Sequence, residues 1–243
     1  MVQPQNRTTL SKSFVALAAL MLLVALSIAC SKSEPMPEAT TVPQHTATEV
    51  VDLSKTSMGN LDSFSFQLTH DSGHTTLSGA LELTRAGGFV ATNGLDLEAE
   101  ANIGRAFVRV EAVVIGEQTW MTNPLTGVWS EIAPEDSPFA FLDPVKLVAD
   151  ILGDTQQARY PVGLLGNGDL FIAGNIPSES LAALVGTVSP GVLPNVLLTI
   201  DSTTNLLKEI VITGVVQPED EANFKRVITL SKFDEPSILE PPI

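Results

Sequence analysis

The feature that most constrains the fold is an alternation of apolar and polar side chains between residues 95 and 114. Successive side chains of a β-strand point to opposite faces, so a period of two predicts strands that are buried on one face. The apolar positions are Leu95, Leu97, Ala99, Ala101 and Ile103, followed after a turn by Ala106, Val108, Val110, Ala112 and Val114. Most of these side chains are small. Either a ligand fills the space that they leave, or helices pack closely against them.

Other segments predict further strands on both sides of this pair. Residues 64–69 and 77–84 alternate in the same way and are expected to form a hairpin. Residues 117–132 predict a second hairpin, in which Trp120 and Trp129 pack across the strands. The late strands are expected at 168–173, 196–200, 208–216 and 225–233.

Helix signals lie before and between these strands. Thr46 and Glu49 have the spacing of a capping box, which predicts a helix over 47–58. Asp143 followed by Pro144 predicts the start of a helix that runs to residue 152, and a third helix is expected near residue 177. The order of helix, strands, helices and strands predicts an α+β domain, with a mainly antiparallel sheet that helices cover on one face.

The N-terminal segment is typical of a bacterial lipoprotein. Two basic residues precede an apolar run over 14–28, which has the length of a signal peptide and is short for a membrane span. Ala29 precedes Cys30, the one cysteine of the chain, and this resembles a lipobox, although Ser27 stands where a branched aliphatic residue is usual. We therefore expect Cys30 to be lipidated. An ordinary secretory signal cleaved near Ala29 is the alternative, but it would leave a thiol with no disulfide partner.

The composition of the segment after Cys30 is typical of a flexible tether. Residues 31–45 are polar and contain three prolines, so we expect a signal peptide at 1–29, a flexible tether at 30–45 and a single domain at 46–243.

The chain has a net charge of −15, and no acidic residue precedes Cys30. Such a surface repels nucleic acid and anionic headgroups. Attachment is thus expected through a diacylglyceryl anchor, outside the cytoplasm, on the cell membrane or on an outer membrane where the envelope has one.

The sequence carries no familiar catalytic motif, and we expect neither an enzyme nor a cofactor. It contains no G-x-S-x-G, no H-E-x-x-H and no phosphate-binding glycine loop. His70, Asp71 and His74 offer metal ligands, but a turn between strands is the simpler interpretation. The acidic turns at 201–205 and 219–221 offer oxygen ligands for a hard cation, or are solvated turns. We expect no metal site.

An ordered series of weak signals resembles the LppX/LprAFG lipoprotein family. Its elements are the lipobox, Leu61-Asp62-Ser63-Phe64-Ser65-Phe66, Leu77-Ser78-Gly79, residues 116–132 closing on Trp129, residues 143–152, Gly174-Asn175-Ile176-Pro177 and Leu198-Thr199-Ile200-Asp201. The resemblance implies a curved antiparallel β half-barrel with helices packed in its concave mouth, similar to the LolA/LolB lipoprotein carriers. It also implies carriage of a lipid or glycolipid, with a membrane transporter as a possible partner.

The resemblance and the small side chains together give a candidate site. Its cavity residues are expected to be Leu81, Ala99, Ala101, Val108, Val110, Ala112, Val148, Ile151, Leu181 and Leu184. Phe139, Phe141 and Leu142 are expected either to form a lid over this cavity or to hold the following helix against the sheet. A non-catalytic envelope lipoprotein with a filled core is the alternative to a carrier.

Overall fold

The fold is described by a computed structural model that covers residues 45–77, 81–163 and 168–243. The predicted signal peptide, Cys30 and nearly all of the predicted tether lie outside these residues. Within the described residues, no helix is long and apolar enough to cross a membrane. Residues Gln44–Ile243 form one compact unit.

Three α-helices are present in the described part of the chain. They are α1 (Ala47–Gly59), α2 (Pro144–Asp154) and α3 (Ala182–Val185). The capping box of α1 is confirmed, because the Glu49 backbone N–H donates to the Thr46 hydroxyl over 3.3 Å and the Thr46 N–H donates to the Glu49 carboxylate over 2.7 Å. Asp143 caps α2 as predicted, accepting from the Lys146 N–H over 2.9 Å. A 3₁₀ turn, Ser178–Leu181, precedes the single turn of α3.

The strands form one open antiparallel sheet, which confirms the predicted fold class. They are β1 (Phe64–Ser72), β2 (Thr75–Leu77), β3 (Leu81–Ala91), β4 (Gly94–Ile103), β5 (Ala106–Ile115), β6 (Gln118–Thr122), β7 (Trp129–Ile132), β8 (Gln156–Arg159), β9 (Asp169–Asn175), β10 (Asn195–Asp201), β11 (Leu207–Thr213) and β12 (Lys225–Ser231). Their order across the sheet is β7-β6-β5-β4-β3-β1-β12-β11-β10-β9-β8, with β2 paired to β3 alone.

The predicted first hairpin differs from the observed pairing. Leu77 of β2 lies opposite Leu81 of β3, so the segment predicted as one strand belongs to two antiparallel strands, and β3 continues to Ala91 beside β1. Gly87 and Gly88 lie inside β3. A Cβ at Gly88 would lie 1.8 Å from the Asp96 carbonyl oxygen, so the close approach of β3 and β4 requires glycine there.

The second hairpin is present as β6 and β7, but its tryptophans are not cross-strand partners. Trp129 lies opposite Thr122, and Trp120 lies opposite Glu131. Trp120 is buried, whereas Trp129 is half-buried. The hairpin prediction is therefore confirmed and the proposed tryptophan pair is not.

The core lies between one face of the sheet and the helices. The alternation in β4 and β5 is confirmed, since Leu97, Ala99, Val110 and Ala112 belong to the buried core. Their polar neighbours in sequence point to the opposite face. The most deeply covered core side chains lie on β9 to β11, and these are Ile172, Leu198, Ile200, Leu207 and Ile210, each 0% exposed.

Candidate functional site

Two spaces lie on the helix-covered face of the sheet. The larger is an open cleft of about 660 Å³ beside β3 to β6, at the end of the sheet where the turns from β3 to β4 and from β5 to β6 lie. The smaller is an enclosed apolar cavity of about 20 Å³ beneath α2. The space beneath α2 has about a thirtieth of the volume of the cleft and holds at most a few water-sized groups, whereas the cleft has the volume of a small-molecule site.

The cleft has apolar walls and few polar groups. Its sheet wall is formed by Val90, Ala91, Gly94, Leu95, Leu97, Ala112, Val114, Gly116 and Thr119. Its other wall is the segment between β7 and α2, through Pro134, Glu135, Ser137, Phe139, Ala140, Leu142, Asp143, Pro144 and Val145. None of these lining residues is basic. The cleft therefore suits an apolar chain, and its two carboxylates disfavour an anionic group.

The segment that closes the cleft is built from short turns. The Leu142 N–H donates to the Phe139 carbonyl over 2.9 Å, and the Ala140 N–H donates to the Ser137 carbonyl over 3.1 Å. The Asp143 N–H donates to the Ala183 carbonyl over 3.3 Å, which ties the end of this segment to α3. Its backbone thus forms local turns and is tied to α3 at its C-terminal end, while Phe139 and Leu142 lie between the cleft and the core.

The three residues predicted as a lid lie between the two spaces. Phe139 and Leu142 line both the open cleft and the cavity beneath α2, whereas Phe141 lines the cavity but not the cleft. Phe139 is 7% exposed and belongs to the core, so it also helps to fix α2. The structure therefore places these side chains where either predicted role is possible, as a gate or as an attachment of the helix.

The predicted cavity residues divide between packed core and cleft. Ala112 borders the cleft, and Val148 and Leu184 border the small cavity. Ala99, Val110, Ile151 and Leu181 are buried in the main core, where helices and neighbouring side chains cover the small-residue face. The remaining three lie apart: Ala101 and Val108 are buried outside the main cluster, and Leu81 is partly buried against it.

Most of the cleft was missed because its second wall has no regular secondary structure. Val90, Leu95, Leu97 and Val114 could have been found from their positions at strand ends. Pro134 and Glu135, by contrast, belong to a 3₁₀ turn, which leaves no periodic pattern of apolar residues in the sequence. A run of four apolar residues at 139–142 was the one signal for that wall.

A buried polar network holds β12 to β2 and was not predicted. Arg226, 1% exposed, donates to both carboxylate oxygens of Asp220 over 2.7 and 2.8 Å. It also donates to the Thr75 hydroxyl over 3.1 Å and to the Gln217 side-chain oxygen over 3.2 Å. The alternation of β12 gave a signal, because Arg226 shares the buried phase of Ile228 and Leu230.

The charges of this network explain two pKa shifts. Burial alone would raise the pKa of Asp220, but hydrogen bonds from Arg226 and from the Gln217 N–H outweigh it and hold this pKa below 3.8. Burial lowers the pKa of His70 below 6.5, and the positive charges of Arg226 and His74 lower it further. In the turn at 219–221, Glu219 and Glu221 are exposed as a solvated turn predicts, whereas the Asp220 side chain is a buried partner of Arg226.

The other candidate metal ligands are engaged in local structure. Asp201 accepts from the backbone N–H groups of Thr203 and Thr204, which lowers its pKa below 3.8. His70 bonds to the Thr84 carbonyl and to the Thr75 hydroxyl, each over 3.0 Å. Among the described residues, no group of three or more His, Cys, Asp or Glu side chains is arranged to hold a metal ion.

Comparisons with known proteins identify the fold. No family model matches the sequence, and no curated protein matches it. The structure of LprF from Mycobacterium bovis aligns with a TM-score of 0.61 and 15% identity, over 81% of this chain and 96% of that one. The Mycobacterium tuberculosis lipoprotein LppX aligns with a TM-score of 0.54 and 16% identity, over 80% of this chain and 98% of that one. At such identities the likeness establishes a shared fold, and this chain has the fold of LprF and LppX.

Proposed function

We propose that this chain is a membrane-anchored lipoprotein that holds the acyl part of a lipid in the cleft between β3–β6 and residues 134–145. The observation that carries the proposal is the cleft of about 660 Å³, which has apolar walls and opens beside an otherwise filled core. The shared fold with LprF and LppX agrees with the carrier function that the sequence resemblance implies.

The energy of burying hydrocarbon is sufficient for such a site. Each buried methylene contributes about 0.8 kcal/mol, so a chain of about ten carbons in the cleft would offset the cost of ordering it. Leu95, Leu97 and Val114 supply the sheet wall against which this chain would lie. A site of this kind needs no polar signature, which explains why motif searches give nothing.

The polar groups at the cleft favour a neutral, hydroxyl-bearing headgroup. Glu135 and Asp143 accept hydrogen bonds, and Ser137 and Thr119 both donate and accept. With no basic residue in the lining, a phosphate or carboxylate headgroup would meet only negative charge. A glycolipid or another polyol lipid therefore fits better than an anionic phospholipid.

Phe139 and Leu142 would then control how far the ligand enters. Their side chains separate the cleft from the cavity beneath α2. If they rotate, the two spaces join and a longer chain is accommodated. Replacing Phe139 and Phe141 with Ser should change the rate of lipid exchange more than the melting temperature if they act as a gate. A large loss of stability with unchanged exchange would assign them to attachment of α2.

Anchoring at Cys30 is the second part of the proposal. The apolar run before Cys30 and the absence of any other cysteine from the sequence support lipidation there. Cys30→Ser should release the protein from membranes of the producing cell and remove the acyl mass. Membrane retention of this variant, together with an unmodified wild type, would contradict the anchor while leaving the cleft untested by that experiment alone.

Filling the cleft tests the ligand site directly. Val114→Trp places an indole in the cleft, and Val113→Trp is the matched control because the neighbouring side chain of β5 points to the opposite face. Native mass spectrometry after incubation with a neutral glycolipid should show bound lipid in the wild type and in Val113→Trp, but not in Val114→Trp. Equal binding by both variants, or none by the wild type, would favour an interaction protein with a filled core.

A further inference from the structure

Two neighbouring hairpin loops carry large apolar side chains into solvent. In the turn from β4 to β5, Ile103 is 49% exposed and Phe107 is 63% exposed. In the loop from β6 to β7, Leu125 is 88% exposed and Val128 is 64% exposed. We call these two loops, residues 103–107 and 123–128, the apolar tip. Exposed apolar side chains that cluster in this way commonly mark a surface that contacts lipid or protein.

The strand pairing brings the two loops to the same end of the sheet. Ile103 lies opposite Ala106, so β4 turns directly into β5 there. The Glu111 N–H donates to the Thr122 hydroxyl over 2.9 Å, so the chain after Thr122 continues alongside the first half of β5. The loop from β6 to β7 therefore points toward the same end of the sheet as the turn from β4 to β5, and it extends along the part of β5 that leads to Phe107.

The charges of the tip differ from those of the chain as a whole. The chain has 28 acidic and 13 basic residues, yet residues 101–110 contain two arginines and no acidic residue, and residues 121–130 contain no charged residue. Arg109 pairs with Glu98 over 2.5 Å, and Arg105 stands in the turn itself. Glu98 offsets the charge of Arg109, so the charge within the tip residues 103–107 and 123–128 is that of Arg105 alone. The tip of an acidic molecule thus carries one positive charge, which suits an anionic lipid surface.

We propose that the apolar tip inserts shallowly into a lipid bilayer and orients the domain on it. Four apolar side chains on two hairpins present a projecting surface, which enters the interfacial region of a bilayer without needing a shaped partner. Arg105 reaches the phosphates at the edge of this contact while the stem of its side chain stays among apolar groups.

Docking of the tip determines whether the cleft opens toward the bilayer or away from it. The tip and the cleft lie at opposite ends of β4 and β5, and ten residues of strand span about 33 Å. A domain that stands on its tip therefore opens its cleft away from the bilayer, toward a partner or a facing membrane. The tip is independent of the cleft, so failure of lipid uptake would leave this proposal standing.

Trp129 provides a natural reporter, because it directly follows Val128 and is half-buried, whereas Trp120 is buried. The full chain is reconstituted into vesicles of phosphatidylcholine and phosphatidylglycerol, with and without brominated acyl chains. We expect bromine to quench the tryptophan emission of the wild type and to leave that of the double variant F107S/L125S unchanged. The control V162S/L193S removes two exposed apolar side chains outside the tip, which are 103% and 53% exposed, and should be quenched like the wild type.

A second measurement removes the contribution of the anchor. Residues Gln44–Ile243 form a compact unit with its own core, and circular dichroism verifies its folding. Binding of this unit to the same vesicles should weaken at least about tenfold in F107S/L125S and remain within about twofold in V162S/L193S. Equal quenching of all proteins, or no quenching of the wild type, overturns the proposal. It is also overturned if the double variant changes only the oligomeric state in sedimentation, since a second copy would then cover the tip.

Discussion

On β9 to β12 nearly all side chains that face the helices are buried, whereas on β4 to β6 several of them remain partly exposed. Ile172, Leu198 and Ile210 are 0% exposed, but Leu95 and Val114 border an open cleft. Both halves belong to one sheet and use the same alternation. The difference lies in what covers them: regular helices close over the central and late strands, and the irregular segment 134–145 only partly closes over β3 to β6. The comparison teaches that one continuous sheet can carry a well-covered core at one side and leave its apolar face partly open at the other.

The largest effect is expected from breaking the buried ion pair of the closed half. Asp220→Ala leaves Arg226 buried without its carboxylate and should lower the free energy of unfolding by about 3–5 kcal/mol. The control is Asp71→Ala, which removes the exposed pair with Lys225 and should cost at most about 1 kcal/mol. Urea unfolding measures both. Equal losses would mean that the network does not hold the closed half.

The second largest effect is expected from truncating a buried core side chain, which should cost more free energy of unfolding than the same change in the wall of the cleft. Ile151 on α2 is 0% exposed, and Ile151→Ala should cost about 2–5 kcal/mol in chemical denaturation. Val114→Ala, in the wall of the cleft, should cost only about 1 kcal/mol because Val114 is already partly exposed. A large loss at Val114 would show that the cleft is closed in solution.

Adding volume sharpens the same comparison in the opposite direction. Val110 lies in the packed core, so Val110→Trp should destabilise the protein by about 1–3 kcal/mol through overpacking. Val114→Trp has the cleft in which to place its ring and should change the melting temperature little. Thermal melts of the two variants decide, and equal destabilisation would contradict an open cleft beside a filled core.

The smallest effect is a pH dependence of the closed half. The pKa of His70 lies below 6.5 in the folded protein, chiefly because the ring is buried, with Arg226 and His74 adding repulsion and Asp220 opposing it. The unfolded chain therefore binds more protons near and below pH 6.5, so stability is full above this pH and falls as the pH drops toward the folded-state pKa. The loss from pH 7.5 to pH 5 should be smaller in His70→Gln than in the wild type. An equal loss would assign the pH dependence to other groups.

The sequence predicted the parts of the fold that local chemistry decides. The capping residues Thr46 and Asp143 marked helix starts, and alternation marked β4 and β5, because a period of two or a cap leaves a direct trace in the order of residues. The passage of β3 through Gly87 and Gly88 left no such trace, since it depends on the approach of Asp96 from β4.

The candidate site was harder to predict for the same reason. The small side chains of Ala99 and Val110 suggested an empty space, yet both residues are packed in the core with side chains of the helices. The distance between helix and sheet is a tertiary property, which the sequence of a strand does not specify. Phe139 and Leu142, predicted as a lid or as an attachment of the helix, line the cleft, and which of the two roles they have stays a prediction. The position of the cleft itself depends on where 134–145 lies across the sheet, which only tertiary structure determines.

The measurement that tests the central claim most directly is photo-crosslinking with a neutral glycolipid that carries a diazirine in its acyl chain. After irradiation of the loaded protein, peptide mass spectrometry locates the attached residues. The account predicts adducts within 134–145 and on Leu95, Leu97 or Val114, which a Val114→Trp substitution removes and a Val113→Trp substitution leaves intact. Adducts confined to the outer face of the sheet, or labelling that Val114→Trp leaves unchanged, would contradict a lipid-binding cleft in the open half.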